Sequence, residues 1–148
     1  MQSLHDAASR EALLRRLDQL SSEAHPAWGK MSVGQMLCHV GAALRMGLGE
    51  LPVQSKGKRL FQLFPLRQLI IYVLPWPHGA PTAPELLATA PAEFEADRAR
   101  VADLVPRFGA ASLEGRWPDH PVFGPLTGRD WSVLQHRHLD HHFRQFRV

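Results

Sequence analysis

Histidine is the residue type in this chain with the most chemistry to offer. The 148 residues include nine histidines against 14 Asp plus Glu. Four of them, His136, His138, His141 and His142, fall within seven consecutive positions near the C-terminus. His138 and His142 stand at i and i+4, so on a helix their rings point at one place from adjacent turns. That spacing recurs where helices present neutral imidazole to a metal ion. Two histidines alone do not make a site, and a further ligand has to come from a second helix. His39 is the candidate. As a lone histidine on an apolar stripe it reads first as a core residue bonded to a carbonyl. Paired with an inward His-x-x-x-His elsewhere, it reads as a ligand.

Four helical segments must position these residues. The first spans about 5–20, where Leu13, Leu14, Leu17 and Leu20 recur at helical spacing. The second spans about 32–48 and opens on Ser32 and Gln35, a capping-box pair, with Gly49 as its stop. The third spans about 91–105, with Pro91 in its first turn and Pro106 just past its end. The fourth spans about 130–146, and Thr127 with Asp130 forms a second capping pair. A short extra helix is expected between 61 and 74. Long loops at 51–59, 75–84 and 108–129 join them; the last holds Pro118, Pro121, Pro125 and four glycines. No stretch alternates like a strand and no repeat is evident, so the chain reads as one domain, 1–148. The predicted fold is an all-α four-helix bundle with long crossover loops.

Advancing 100 degrees per residue along the last helix puts Trp131, Leu134, Gln135, His141, His142 and Gln145 within about 60 degrees of His138. Arg137, Asp140, Arg144 and Arg147 fall on the opposite side and mark the predicted solvent face. On the second helix, Ser32, Gln35, Met36, Ala42, Ala43 and Met46 share the side of His39, and the small ones would admit a neighbouring helix. Cys38 lies about 100 degrees from His39 and is not expected to share an ion. His5, His25, His78, His120 and His136 are assigned to loops, termini or a helix edge. Trp28, Trp76 and Trp117 are read as pinning loops to the bundle. Trp131 is read as core.

Composition excludes several classes. AVILMFWYC make up 45% and DEKR 21%, an ordinary globular balance, and a single cysteine permits no intrachain disulfide. Net charge is only +3. The arginines are dispersed and the single basic run, Lys56-Gly57-Lys58-Arg59, reads as a solvated loop, so nucleic acid is not an expected partner. The most apolar stretch, 60–76, is interrupted by Pro65, Arg67, Gln68 and Pro75 and falls short of a membrane span. A membrane is not an expected partner either. With no apolar signal region near Met1, the expected location is cytoplasmic.

The run His138-Leu-Asp-His141-His142-Phe-Arg-Gln145 has the form H-x-x-H-H-x-x-Q, and Gly34-Gln-Met-Leu-Cys-His39 places a histidine midway along the second helix. With Pro26-Ala-Trp-Gly-Lys-Met-Ser32 and His120-Pro-Val-Phe-Gly124, the chain resembles, nearly end to end, a branch of unknown function in the DinB/YfiT superfamily of metal-dependent four-helix bundles. The resemblance implies a divalent metal held at one end of the bundle by His39, His138 and His142. It makes His141 an adjacent non-ligand, and Gln145 a group that supports a ligand or faces substrate. Characterised relatives include thiol S-transferases, which add low-molecular-weight thiols such as mycothiol or bacillithiol to electrophiles, and a related isomerase.

Three neutral imidazoles suit zinc, nickel, iron(II) or copper alike. Three ligands on rigid helices also leave open positions, as catalytic sites do. The leading expectation is a metal-dependent transferase or hydrolase acting on a small molecule, with His141 and Gln145 the candidates for a catalytic part. His141 is equally suited to bonding a loop carbonyl. The alternatives are a non-catalytic, stress-related binding or dimerisation module that uses the 60–76 or 75–84 segment as its surface, and a metal that only stabilises the fold. A homodimer is the assembly considered.

Overall fold

The two helices that carry the histidines begin where their capping residues predict. In the computed structural model, which describes residues 1–54, 59–79 and 83–148, the Ser32 hydroxyl accepts from the Gln35 amide while the Gln35 side chain accepts from the Ser32 amide. Thr127 and Asp130 do the same. Two otherwise orphaned donors are satisfied at each start. These boxes open α2 (Val33–Gly47) and α5 (Gly128–Gln145). Ahead of them α1 (Ala7–Asp18) is capped by the Asp6 carboxylate, which accepts from Ser9 N–H at 2.8 Å. The short extra helix is α3 (Leu66–Tyr72), and α4 (Phe94–Ala110) completes the set. Single 3-10 turns lie at Arg59–Gln62 and Pro84–Leu87. Among the described residues there is no strand, only an isolated bridge between His120 and Gly124. The fold is therefore the all-α arrangement expected, four long helices and one short one.

Two elements differ from the sequence expectation. The helix predicted over 91–105 starts later, at Phe94, and runs through Pro106 to Ala110. Asp97, 1% exposed, accepts from the Ala92 amide at 3.0 Å and so ties the chain just ahead of the helix to its first turns. Pro106 removes one helical hydrogen bond, a cost of about 3 kcal/mol. Phe108, just beyond it, is fully buried. Burying such a ring stabilises by about 1.5–3 kcal/mol, enough to hold the last turn in helical form.

The other difference is α5. It was expected to show one solvent face, yet every residue from Asp130 to His136 is buried, because α1, α2 and α3 all pack on it. His136, expected at an edge, is 4% exposed. Arg137 does not face water freely: it donates to the carbonyls of Ile70 and Ile71 at 3.0 and 2.6 Å and so ties down the end of α3. Asp140 takes an ion pair from Arg16 of α1 at 2.7 Å. Only Arg144 and Arg147 remain exposed on the predicted solvent stripe.

Helices α2 and α5 run antiparallel. Gly47 meets Trp131, the Ala43 carbonyl accepts from Gln135 at 2.9 Å, and His39 faces His138, each step reversing along the other helix. The contact at Gly47 needs glycine, since a Cβ there would lie 2.7 Å from the Phe108 ring. Trp131, fully buried, donates to the Pro118 carbonyl at 2.9 Å, and Trp117 donates to Ser112 at 3.2 Å, so both pin the 111–127 connection to the core. The core is continuous from Leu13 and Leu17 through Met36, Leu44, Leu104, Leu139 and Phe143. No helix among the described residues is long and apolar enough to cross a membrane. The basic Lys56–Lys58 of the sequence, and part of the Pro-rich loop at 80–82, lie outside the described residues.

Candidate metal centre

The antiparallel register of α2 and α5 brings three ring nitrogens together. His39 Nε2 lies 2.9 Å from His138 Nε2, which lies 3.1 Å from His142 Nε2. One nitrogen from each residue falls within 4.8 Å of the others, so the trio could hold a metal ion. Nitrogens bound to one ion at about 2.0–2.1 Å stand about 2.8–3.4 Å apart, between right-angled and tetrahedral ligation. The separations from His138 to His39 and to His142, 2.9 and 3.1 Å, fall within that range.

Hydrogen bonds at the far side of two rings fix their tautomers. The Gln145 amide donates through Nε2 to the Trp28 carbonyl at 2.7 Å, which leaves its Oε1 to face His142 Nδ1 at 2.8 Å. An amide oxygen only accepts, so His142 Nδ1 carries the hydrogen. His39 Nδ1 faces the Leu86 carbonyl at 3.4 Å and donates for the same reason. In the neutral rings, both Nε2 atoms then present lone pairs, and both are directed at His138 Nε2. A single N–H on His138 satisfies one of them and not the other. A cation satisfies all three at once, which is the chemical case for a metal here.

The surroundings keep the rings neutral. Burial lowers the pKa of His39 and takes that of His142 down to about 4, with His39 adding repulsion in the second case. Burial, then His39 and His142, hold His138 well below the ordinary imidazole value. Neutral imidazole is the form that binds a metal.

Gln145 thus lies against the back of His142, with both of its polar atoms used within the protein. A reciprocal bond from Ala27 N–H to the Gln145 carbonyl at 2.7 Å clamps the 26–29 segment over the end of α5. Gly29, at φ +79, allows that approach. Around the trio stands an aromatic wall. Trp28 stacks on His78 with ring centres 4.1 Å apart and meets His141 edge-on at 5.7 Å. Trp76, held by its bond to the Ile70 carbonyl, lies 6.0 Å from His138 and 6.2 Å from His141. Among the described residues His141 makes these ring contacts and no bond to a loop carbonyl. It sits 5.3 Å from the His142 ring, half-buried, with its pKa lowered by burial and then by His78.

Cys38 is buried and outside the converging group, as its angular position predicts. Leu86 and His78 were not anticipated. Both act through loops that fold back onto α2 and the 26–29 segment, and no local sequence pattern marks them. His120 also proved more ordered than a loop histidine. Its Nδ1 accepts from the Val122 and Phe123 amides at 3.1 and 3.2 Å, its ring packs on Trp131, and burial takes its pKa down to about 3. His5 is a further structural case: Ser132 Oγ lies 2.8 Å from its Nδ1 and the Ala111 carbonyl 2.7 Å from its Nε2, joining the N-terminus to α4 and α5. Clefts of about 260 and 190 Å³ open beside His5 and beside Trp117, away from the histidine trio.

No curated protein and no solved structure matches the chain. The family model of the DinB superfamily matches residues 5–146, a span that takes in every described helix and contains all three converging histidines. By that match, over nearly its whole length, the chain belongs to the DinB superfamily.

Proposed function

We propose that His39, His138 and His142 hold a divalent metal ion, zinc, nickel or iron, and that the protein uses it in a reaction on a small molecule. Transfer of a low-molecular-weight thiol to an electrophile is the first choice, and hydrolysis is the second. One observation carries the reading: two Nε2 lone pairs, fixed by Gln145 and Leu86, are directed at a third Nε2 in a site that disfavours protonation. Three protein ligands leave positions for a further ligand. When bound, a divalent ion lowers the pKa of a coordinated thiol or water and holds it deprotonated near neutral pH.

The protein groups divide the remaining work. Gln145 and Leu86 orient two ligand rings. Trp28 and Trp76 wall the site with apolar surface, which excludes water and suits an electrophile with an organic body. Among the described residues the buried Trp28 indole N–H has no hydrogen-bond partner. His141, neutral and beside the trio, is the group placed to take the proton released by a thiol or water.

Cobalt(II) substitution tests this directly. Adding N-acetylcysteine to the cobalt protein should produce a sulfur-to-cobalt charge-transfer band in the near ultraviolet, absent in His138→Ala. A cobalt-loaded protein whose spectrum is indifferent to both thiol and pH, and so to water deprotonation as well, would sink the proposal.

A further inference from the structure

The histidine rings do not stop at the trio. His141 lies beside His142 with ring centres 5.3 Å apart, and His78 lies 6.1 Å beyond His141. The trio's own ring centres are 4.8–4.9 Å apart, so the five rings form one continuous series. Exposure rises along it. His39 and His142 are buried, His141 is half-buried and His78 is exposed. The series leads from the metal centre to solvent.

The outer two rings are not used up by the fold. His5 and His120 spend ring nitrogens on hydrogen bonds within the protein. Those of His78 and His141 have no such partner among the described residues, and aromatic faces hold the rings instead. Trp28 stacks on His78 with 8° between the planes, and its own carbonyl is anchored by Gln145. Trp28 and Trp76 flank His141. A stacked imidazole keeps its lone pair in the ring plane, at the free edge. Two imidazoles on one ion, each at about 2.0–2.1 Å, place their ring centres no more than about 6.5 Å apart. Both outer spacings, 5.3 and 6.1 Å, lie within that reach. The loop that carries His78 brings no carboxylate, since the sequence from 51 to 84 has no Asp or Glu. Asp140, beside His141 in sequence, is tied to Arg16 and Arg144. Imidazole without carboxylate favours a transition metal over calcium or magnesium.

We propose that His78 and His141 form the entry path of the metal. His78 captures a divalent transition-metal ion at the surface, and His141 passes it to His142, His138 and His39. The path rests on the trio being the metal centre. Capture at the mouth raises the local concentration of the ion at the trio and so speeds loading. A path speeds arrival and departure alike, so it leaves the equilibrium affinity unchanged.

Stopped-flow mixing of the metal-free full chain with cobalt(II), followed by the visible band of the bound ion, tests it. His78→Phe keeps an aromatic ring on Trp28 and removes the nitrogens. It should slow loading by about tenfold and slow release to excess chelator by the same factor, with affinity and helix content unchanged. His78→Asp removes the stack and restores a ligand, and it should load near the wild-type rate. If His78 only props up the aromatic wall, the phenylalanine variant is the normal one and the aspartate variant the impaired one, which overturns the path. A phenylalanine variant that loses affinity rather than speed overturns it as well. A wild-type chain that takes up no cobalt overturns the metal centre and the path together. A chain that holds cobalt tightly but loads at the same rate with either residue at 78 overturns the path alone.

Discussion

Replacing Gln145 with leucine tests how the trio is held in place. Gln145 is 5% exposed and uses both ends of its amide, accepting from His142 Nδ1 at 2.8 Å and donating to the Trp28 carbonyl at 2.7 Å. Leucine fills a similar volume and removes both bonds. The His142 N–H and the Trp28 carbonyl are then left unsatisfied in a buried place, at about 1–3 kcal/mol each. Stability of the metal-free protein should fall by about 2–4 kcal/mol in urea unfolding. The larger consequence is for the ligand. With no acceptor behind it, the His142 ring loses its fixed tautomer and orientation, and loss of such a partner costs about 10–100-fold in metal affinity. A competition titration of zinc against a chromophoric chelator reads this directly. Gln145→Glu separates the two roles: its carboxylate still accepts from His142, so affinity should hold, while repulsion from the Trp28 carbonyl should lower stability. A folded leucine variant that binds zinc within about twofold of wild type would refute the reasoning. So would a glutamate variant that loses zinc as strongly as the leucine one.

Acid should destabilise the metal-free protein in a defined window. The unfolded chain takes up protons below about pH 6.5 that the buried rings refuse, so stability is full above that pH and falls as pH drops toward the folded pKa values, about 4 for His142 and about 3 for His120. His142 alone accounts for about 3 kcal/mol across its window. A urea midpoint that rose between pH 6.5 and 4 would contradict this. Arg16→Ala removes the quarter-exposed pair with Asp140 and a bond to the Val148 carbonyl, and should cost about 1–2 kcal/mol by urea unfolding with metal content unchanged. Thr127→Ala opens the capping box of α5 and should cost about 1 kcal/mol, read as a lower thermal midpoint; no change would mean the box contributes nothing.

What could be read from the sequence was whatever depends on neighbours along the chain. The Ser32–Gln35 and Thr127–Asp130 boxes are four-residue patterns, and both formed. The convergence of His138 and His142 follows from helical period alone. Placing His39 opposite them needed only the assumption that the second and fourth long helices are neighbours. Gln145 was identified, but whether it supported a ligand or met a substrate depended on Trp28, 117 residues away in sequence. Pro106 reads locally as a stop, and only the burial of Phe108 beyond it explains why the helix continues. The exposed stripe expected on α5 failed for a related reason. A helical wheel counts residue types, and it does not show that Arg137 is needed at the end of α3 or Asp140 opposite Arg16. His78, stacked on Trp28 from a Pro-rich loop, has no local signature at all.

The central claim is that three histidines from α2 and α5 share one ion. Elemental analysis of untagged protein, purified without chelator and reloaded by dialysis, tests it most directly. The account predicts one tightly held divalent ion per chain, lost in His39→Ala, in His138→Ala and in His142→Ala, but kept in His136→Ala. Folded wild-type protein that retains no stoichiometric metal, or a His39→Ala variant that retains all of it, would contradict it.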